Sequence, residues 1–290
     1  MKPEASRLRS AGMAGGTRYS LYASRAGEPA ETTVLIHGVG MNHSVWAPQI
    51  DALTAQFEVL AYDMPGHGDS ALPSAEPTLA EYATQLATLL DALKIARVHV
   101  VGHSMGALVA LEFALTHPAR TVSVAALNAV YDRTPEQRAA VMSRASTLDA
   151  SATDAGVDAT IARWFGEPAP THLASAARDL RGLLLNVNPA GYARTYRLFA
   201  SSDDAHVGRL ASLDMPALFL TGEFDPNSSP AMSQAMAAAT PNGRAEIIDG
   251  ARHMMNVTDP ERVNERLVAF LTTASNAQTA NAAHIGGRHD

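Results

Sequence analysis

The chain has 290 residues, 47% of them hydrophobic, enough to build a large core without disulfides or metals and unlike a disordered composition. Its 22 basic and 29 acidic residues give a net charge of −7, which argues against non-specific nucleic-acid binding through a basic face. The absence of cysteine excludes disulfides, thiolate catalysis and Cys-ligated zinc.

The N-terminal stretch lacks the apolar run of a secretory signal, and no window approaches the ~20 apolar residues of a spanning helix. A soluble, cytoplasmic protein with no membrane partner is the expectation. Two short β-branched runs follow, Thr32–Ile36 ending at His37-Gly38, and Phe57–Tyr62 ending at Asp63. Such nearly continuous apolar strands suit a parallel sheet covered on both faces. Thr78 and Glu81 then form a capping-box signature, and Leu79, Tyr82, Ala83, Leu86, Leu89, Leu90 and Leu93 fall on one helical stripe.

A third strand, Arg97–Val101, leads into Gly102-His103-Ser104-Met105-Gly106 and a helix over Met105–Thr116. Between a strand and a helix, Gly-x-Ser-x-Gly reads as a nucleophile elbow. The sharp turn holds Ser104 strained and exposed, its flanking glycines avoid clashes, and the helix N-terminus favours a developing negative charge. The strand Val122–Leu127 comes next.

Strand–helix alternation breaks over residues 128–212, which read as several helices. This segment holds nine Arg, no Lys and nine acidic residues, so it is neutral and the remainder carries the −7. It is expected to be a helical cap inserted between two core strands, with the core formed by residues 1–127 and 213–272. Alternation resumes with strands Ala217–Leu220 and Ala245–Ile248, and Asp259-Pro260 caps a last helix with Val263, Leu267, Phe270 and Leu271 on its buried face. The implied fold is a doubly wound, mostly parallel α/β sheet. Residues 273–290, rich in Ala, Asn and Gly, are expected to form a disordered tail. His284 and His289, without a carboxylate framework, are poor evidence for a metal.

A serine hydroxyl needs a base. His253, in the loop between the strand Ala245–Ile248 and the last helix, is the best candidate. Its own orienting carboxylate is assigned to Asp225, just past Ala217–Leu220, with Glu223 and Asp132 as rivals; the order Ser104, Asp225, His253 is then the one this elbow requires. Oxyanion donors are expected from the amides of Met105 and Val39. His37 and His103 read as structural, and Asp63–Ser70 as a loop-shaping turn cluster. Trp46, Tyr131, Trp164 and Phe199 are candidate pocket residues, as are Arg163 and Arg194, either of which facing inward would point to a carboxylate on the substrate.

These motifs, in order over residues 31–271, resemble the set found in the α/β-hydrolase superfamily. Within it, Arg163-Trp164-Phe165 and Asn188-Pro189-Ala190-Gly191-Tyr192 resemble the cap of bacterial β-ketoadipate enol-lactone hydrolases and related small-molecule esterases. The resemblance implies hydrolysis of a small ester or lactone through an acyl-enzyme, with no metal or organic cofactor. Meta-cleavage C–C hydrolases are a second neighbour, although they often carry Asn where this chain has His103, and small-molecule receptors of the fold can retain the same residues. Ser104 excludes the dehalogenase and epoxide hydrolase branches, which need Asp there. The oligomeric state is left open, a homodimer included.

Overall fold

The computed structural model of the protein describes residues 7–27, 30–148 and 154–286. Its frame is one eight-stranded sheet in the order β1-β2-β4-β3-β5-β6-β7-β8. The strands are β1 (Leu8–Ala14), β2 (Thr17–Tyr22), β3 (Thr32–Ile36), β4 (Glu58–Tyr62), β5 (Val98–His103), β6 (Thr121–Leu127), β7 (Ala217–Gly222) and β8 (Gly243–Ile248). From β4 to β8 every pairing is parallel, whereas β1 and β2 join antiparallel at one edge. That edge hairpin was not read from the sequence. Its exposed strand β1 carries little apolar alternation, and its signal is the turn: Gly15 and Gly16 both have positive φ, 55° and 78°, as a tight hairpin of matching twist requires.

The helices are α1 (Ala47–Leu53), α2 (Leu79–Ala92), α3 (Met105–Thr116), α4 (Pro135–Ser146), α5 (Asp154–Phe165), α6 (Ala174–Leu185), α7 (Pro189–Ala200), α8 (Pro230–Ala238), α9 (Met255–Thr258) and α10 (Pro260–Gly286). Because side chains alternate along a strand, Val34 and Ile36 enter one core with α2, α3 and α8, while Leu35 enters the other with α1 and α10. Helix α3 lies under the sheet's centre, and all ten residues from Met105 to Ala114 are buried, so it is apolar all round rather than on one stripe. Helices α4 to α7 lie in sequence between β6 and β7, which are neighbours in the sheet. Among the described residues no helix is long and apolar enough to cross a membrane.

One expectation needs correction. The chain does not leave its last helix near residue 272, because α10 runs on to Gly286. Ala274 is buried, and the Ser275 hydroxyl bonds to Leu271 O at 3.1 Å and to the side chains of Glu31 and His99. The segment lacks hydrophobic periodicity, but its alanines and the absence of proline, and of glycine before Gly286, leave nothing to stop a helix that packing has already started. His284 and His289 lie outside the described side chains.

Candidate active site

Ser104 joins β5 to α3 with φ 56° and ψ −118°, a conformation that costs an L-residue of order 1–3 kcal/mol. Its surroundings impose it. A Cβ on Gly102 would sit 2.0 Å from Gly106 O, and one on Gly106 would sit 2.2 Å from Ile36 O. Both contacts are with backbone, so no rotamer change could relieve them. The chain therefore turns here with the Ser104 side chain projecting from the carboxyl end of the sheet.

His253 follows β8 and brings Nε2 to 3.2 Å from Ser104 Oγ. Its Nδ1 lies 2.9 Å from Asp225 Oδ2, past the end of β7. This arrangement fixes the neutral tautomer, with the proton on Nδ1 and Nε2 facing the hydroxyl. Burial alone would raise the Asp225 carboxyl, but His253 and the hydrogen bonds it accepts from Ser228 and Asn227 hold it down to about 2. The rivals serve elsewhere. Glu223 accepts from Gly250 N at 2.8 Å, which ties down the loop leading to His253, and Asp132 is exposed, its amide donating to Asp203 O.

His103 is buried against this pair. Its Nε2 lies 2.8 Å from His253 O and so donates to that carbonyl, and burial pushes its pKa to about 3. His37 and His67 hold the neighbouring loop. His37 donates from Nδ1 to Gly38 O at 2.8 Å and accepts from Met64 N at 3.0 Å. His67 accepts from Gly40 N at 3.0 Å and donates to Pro65 O at 3.1 Å. Each ring thus uses both nitrogens to pin the 38–41 segment to the 63–68 turn. Val39, in that segment, lines the cavity over Ser104. Met105 opens α3, so its amide has no acceptor within the helix.

A partly open cavity lies above Ser104 and His253. Arg163, Trp164 and Phe199 stand on its wall, together with Thr160, Tyr192, Tyr196 and Asn227, which sequence reasoning did not single out as lining residues. Trp164 lies 5.8 Å, centroid to centroid, from the His253 ring. Trp46, Tyr131 and Arg194 are not on the wall. Trp46 is wholly buried in the second core beside His103, Tyr131 packs against the first core, and Arg194 turns away to donate to Pro73 O at 2.6 Å. Arg163 donates to Thr160 Oγ1 at 3.2 Å, while its buried Nε has no partner among the described residues. Burial presses its pKa below the usual guanidinium value.

The family model described as the alpha/beta hydrolase fold matches residues 33–260, which span every element that carries this geometry. The chain belongs to that family. It is 38% identical to an (E)-2-((N-methylformamido)methylene)succinate hydrolase of Acinetobacter baylyi, over 84% of this chain and 91% of the relative. It is 30% identical to a 3-oxoadipate enol-lactonase of the same organism, over 84% of this chain and 90% of the relative. The crystal structure of an enol-lactonase from Burkholderia xenovorans superposes with a TM-score of 0.79 at 29% identity, covering 91% of this chain and all of that one. This α/β-hydrolase is therefore a hydrolase that resembles enol-lactone hydrolases.

Proposed function

We propose that this α/β-hydrolase is a serine esterase or lactonase acting on a small molecule that bears a carboxylate. The observation that carries the reading is the run of hydrogen bonds from Ser104 through His253 to Asp225 at the floor of the cavity. His253 takes the hydroxyl proton as Ser104 attacks the substrate carbonyl, and Asp225 stabilises the resulting imidazolium. The amides of Val39 and Met105 receive the oxyanion, with the N-terminus of α3 adding its dipole. His253 then protonates the leaving group, and water releases the acyl group by the same path. Helices α4 to α7 act as a cap that sets substrate choice. Arg163 meets the carboxylate: it is a cation on the wall whose Nε has no partner among the described residues.

The relatives support the substrate class. The substrate named for one is a succinate, and that for the other an enol lactone of an oxoadipate. A second reading, cleavage of an N-acyl group from an unsaturated amine, is favoured by the 38% identity to the formamido-methylene-succinate hydrolase. Both bonds place the leaving heteroatom on a double bond, which delocalises the charge it takes up.

Intact-mass analysis after exposure to a fluorophosphonate tests the nucleophile. One adduct on the wild type and none on Ser104→Ala is expected, and no adduct on folded wild type would overturn the reading. Turnover of a panel of enol lactones, saturated esters, N-formyl enamines and vinylogous diketones then decides the bond.

A further inference from the structure

Asp225 does more than accept from His253. Its Oδ2 takes three side-chain donors: His253 Nδ1 at 2.9 Å, Asn128 Nδ2 at 2.7 Å and Ser228 Oγ at 2.5 Å. Oδ1 accepts from the amide of Asn227 at 2.8 Å. The imidazole therefore makes the longest of the three contacts on the oxygen it shares. Asn128 and Ser228 are both wholly buried, and each comes from a different place: the end of β6 and the loop between β7 and α8.

Neither is a bystander filling space. Asn128 has φ 52°, in the left-handed region that asparagine adopts more readily than most residues, and donates its own amide to Leu220 O at 2.9 Å. Its Oδ1 is buried with no partner among the described residues. Reversing the amide would turn that oxygen toward a carboxylate, so the orientation is set by Asp225. Thr221 closes the ring, accepting weakly from Asn128 Nδ2 at 3.4 Å and donating to Ser228 O at 3.0 Å.

Building on the serine-hydrolase reading, we propose that Asn128 and Ser228 are positioning residues that temper the Asp225–His253 pair and thereby set the acid limb of the enzyme's pH profile. Each donor spreads the carboxylate's charge and leaves less of it to attract a protonated imidazole. Removing a donor returns charge to Oδ2, stabilises the imidazolium and moves the acid limb upward. Among the described residues, the other titratable or charged groups around His253 are His103 from β5, which packs on its ring, and Arg163 from α5 and Tyr192 and Tyr196 from α7, which line the same cavity. The substitutions alter none of these.

The test is the rate of fluorophosphonate labelling of full-length wild type, Asn128→Ala and Ser228→Ala between pH 5 and 9, with melting measured at each pH. Both variants are expected to shift the half-maximal rate upward by roughly half a pH unit or more, which is about 0.7 kcal/mol of differential interaction with the imidazolium. Ser228→Thr, which keeps the hydroxyl, is expected to restore the wild-type limb. Slower labelling at every pH with the limb unmoved in a folded variant would reduce both residues to a packing role and overturn the inference. Because the two donors sit on separate elements, one folded variant is enough to decide. Failure of the wild type itself to label would instead overturn the hydrolase reading.

Discussion

At Gly106 the elbow leaves no room for a methyl group, because Ile36 O and His37 O both lie within 2.5 Å of where a Cβ would be. Gly106→Ala should therefore cost about 3 kcal/mol or more, above the usual range for overpacking, because the clash is with backbone. Melting is expected to fall by roughly 6–12 °C in a chain of this size, and an unchanged melting temperature would show that the turn relaxes. Arg163 yields a second prediction. Arg163→Met keeps the apolar stem and removes the charge, so kcat/KM on a carboxylate-bearing ester should fall about 10–100-fold relative to its neutral methyl ester. A common loss on both esters would contradict the carboxylate role. Much of this was legible residue by residue. Ser104 announces itself by glycine spacing, and Asp225 and His253 by following short core strands; the structure brings the three within hydrogen-bond reach. Arg163 and Arg194 could not be told apart, because which face of α5 or α7 turns inward depends on how the four helices α4 to α7 pack. Asn128 and Ser228 gave no signal at all. A buried donor to a carboxylate is defined by a partner about a hundred residues away or by a loop's course.

Among the elements, the central strands were readable because each is a largely apolar run closed by glycine or a polar residue, and tertiary burial agrees with that pattern. The edge hairpin β1–β2 was not, since a strand with one solvated edge and polar residues on both faces carries little period-2 contrast. Helix α7 illustrates how an element can be fixed by contacts invisible in its own sequence. Gly191 packs on Gly66 so closely that a Cβ would lie 2.1 Å from Gly66 O, Thr195 Oγ1 shares a 2.7 Å hydrogen bond with Tyr82 OH, and Arg194 holds Pro73 O. The helix is thus fastened to the 63–73 loop and to α2 while it turns Tyr192, Tyr196 and Phe199 into the cavity. Gly191→Ala should push α7 off that seat. A drop in kcat/KM of tenfold or more, with labelling of Ser104 by a small fluorophosphonate retained, is the expected result. Equal losses of both would mean that the helix supports the nucleophile itself, and no loss would mean that this contact does not place the wall.

For the whole molecule the buried histidines decide how stability follows pH. Burial lowers His37 and His103 to about 3 and His67 to about 4, so all three stay neutral in the folded protein under conditions where an unfolded chain would protonate them. Their folded pKa values lie below the unfolded value of about 6.5. Stability from them is therefore complete above that value and is lost as pH falls toward 4 and then 3. With three protons taken up on unfolding, the slope should approach roughly 4 kcal/mol per pH unit once the unfolded chain is fully protonated. The carboxylates add to this lower down. A hydrogen bond from His99 brings Glu31 to about 2, His206 at 3.3 Å together with hydrogen bonds from Arg209 does the same for Glu112, and Asp225 is held there as well. Their contribution is present above the unfolded carboxylate value of about 4 and disappears between there and 2. Acid should thus weaken the fold in two stages, the first set by imidazoles that pin the loop around Val39 and the backbone of His253. Melting temperatures between pH 8 and 4 check this directly. His67→Gln, whose amide oxygen can still accept from Gly40 N, should flatten the dependence between pH 6 and 4 by about a third relative to wild type. An undiminished slope in a folded variant would mean that the proton uptake driving acid unfolding lies at other groups.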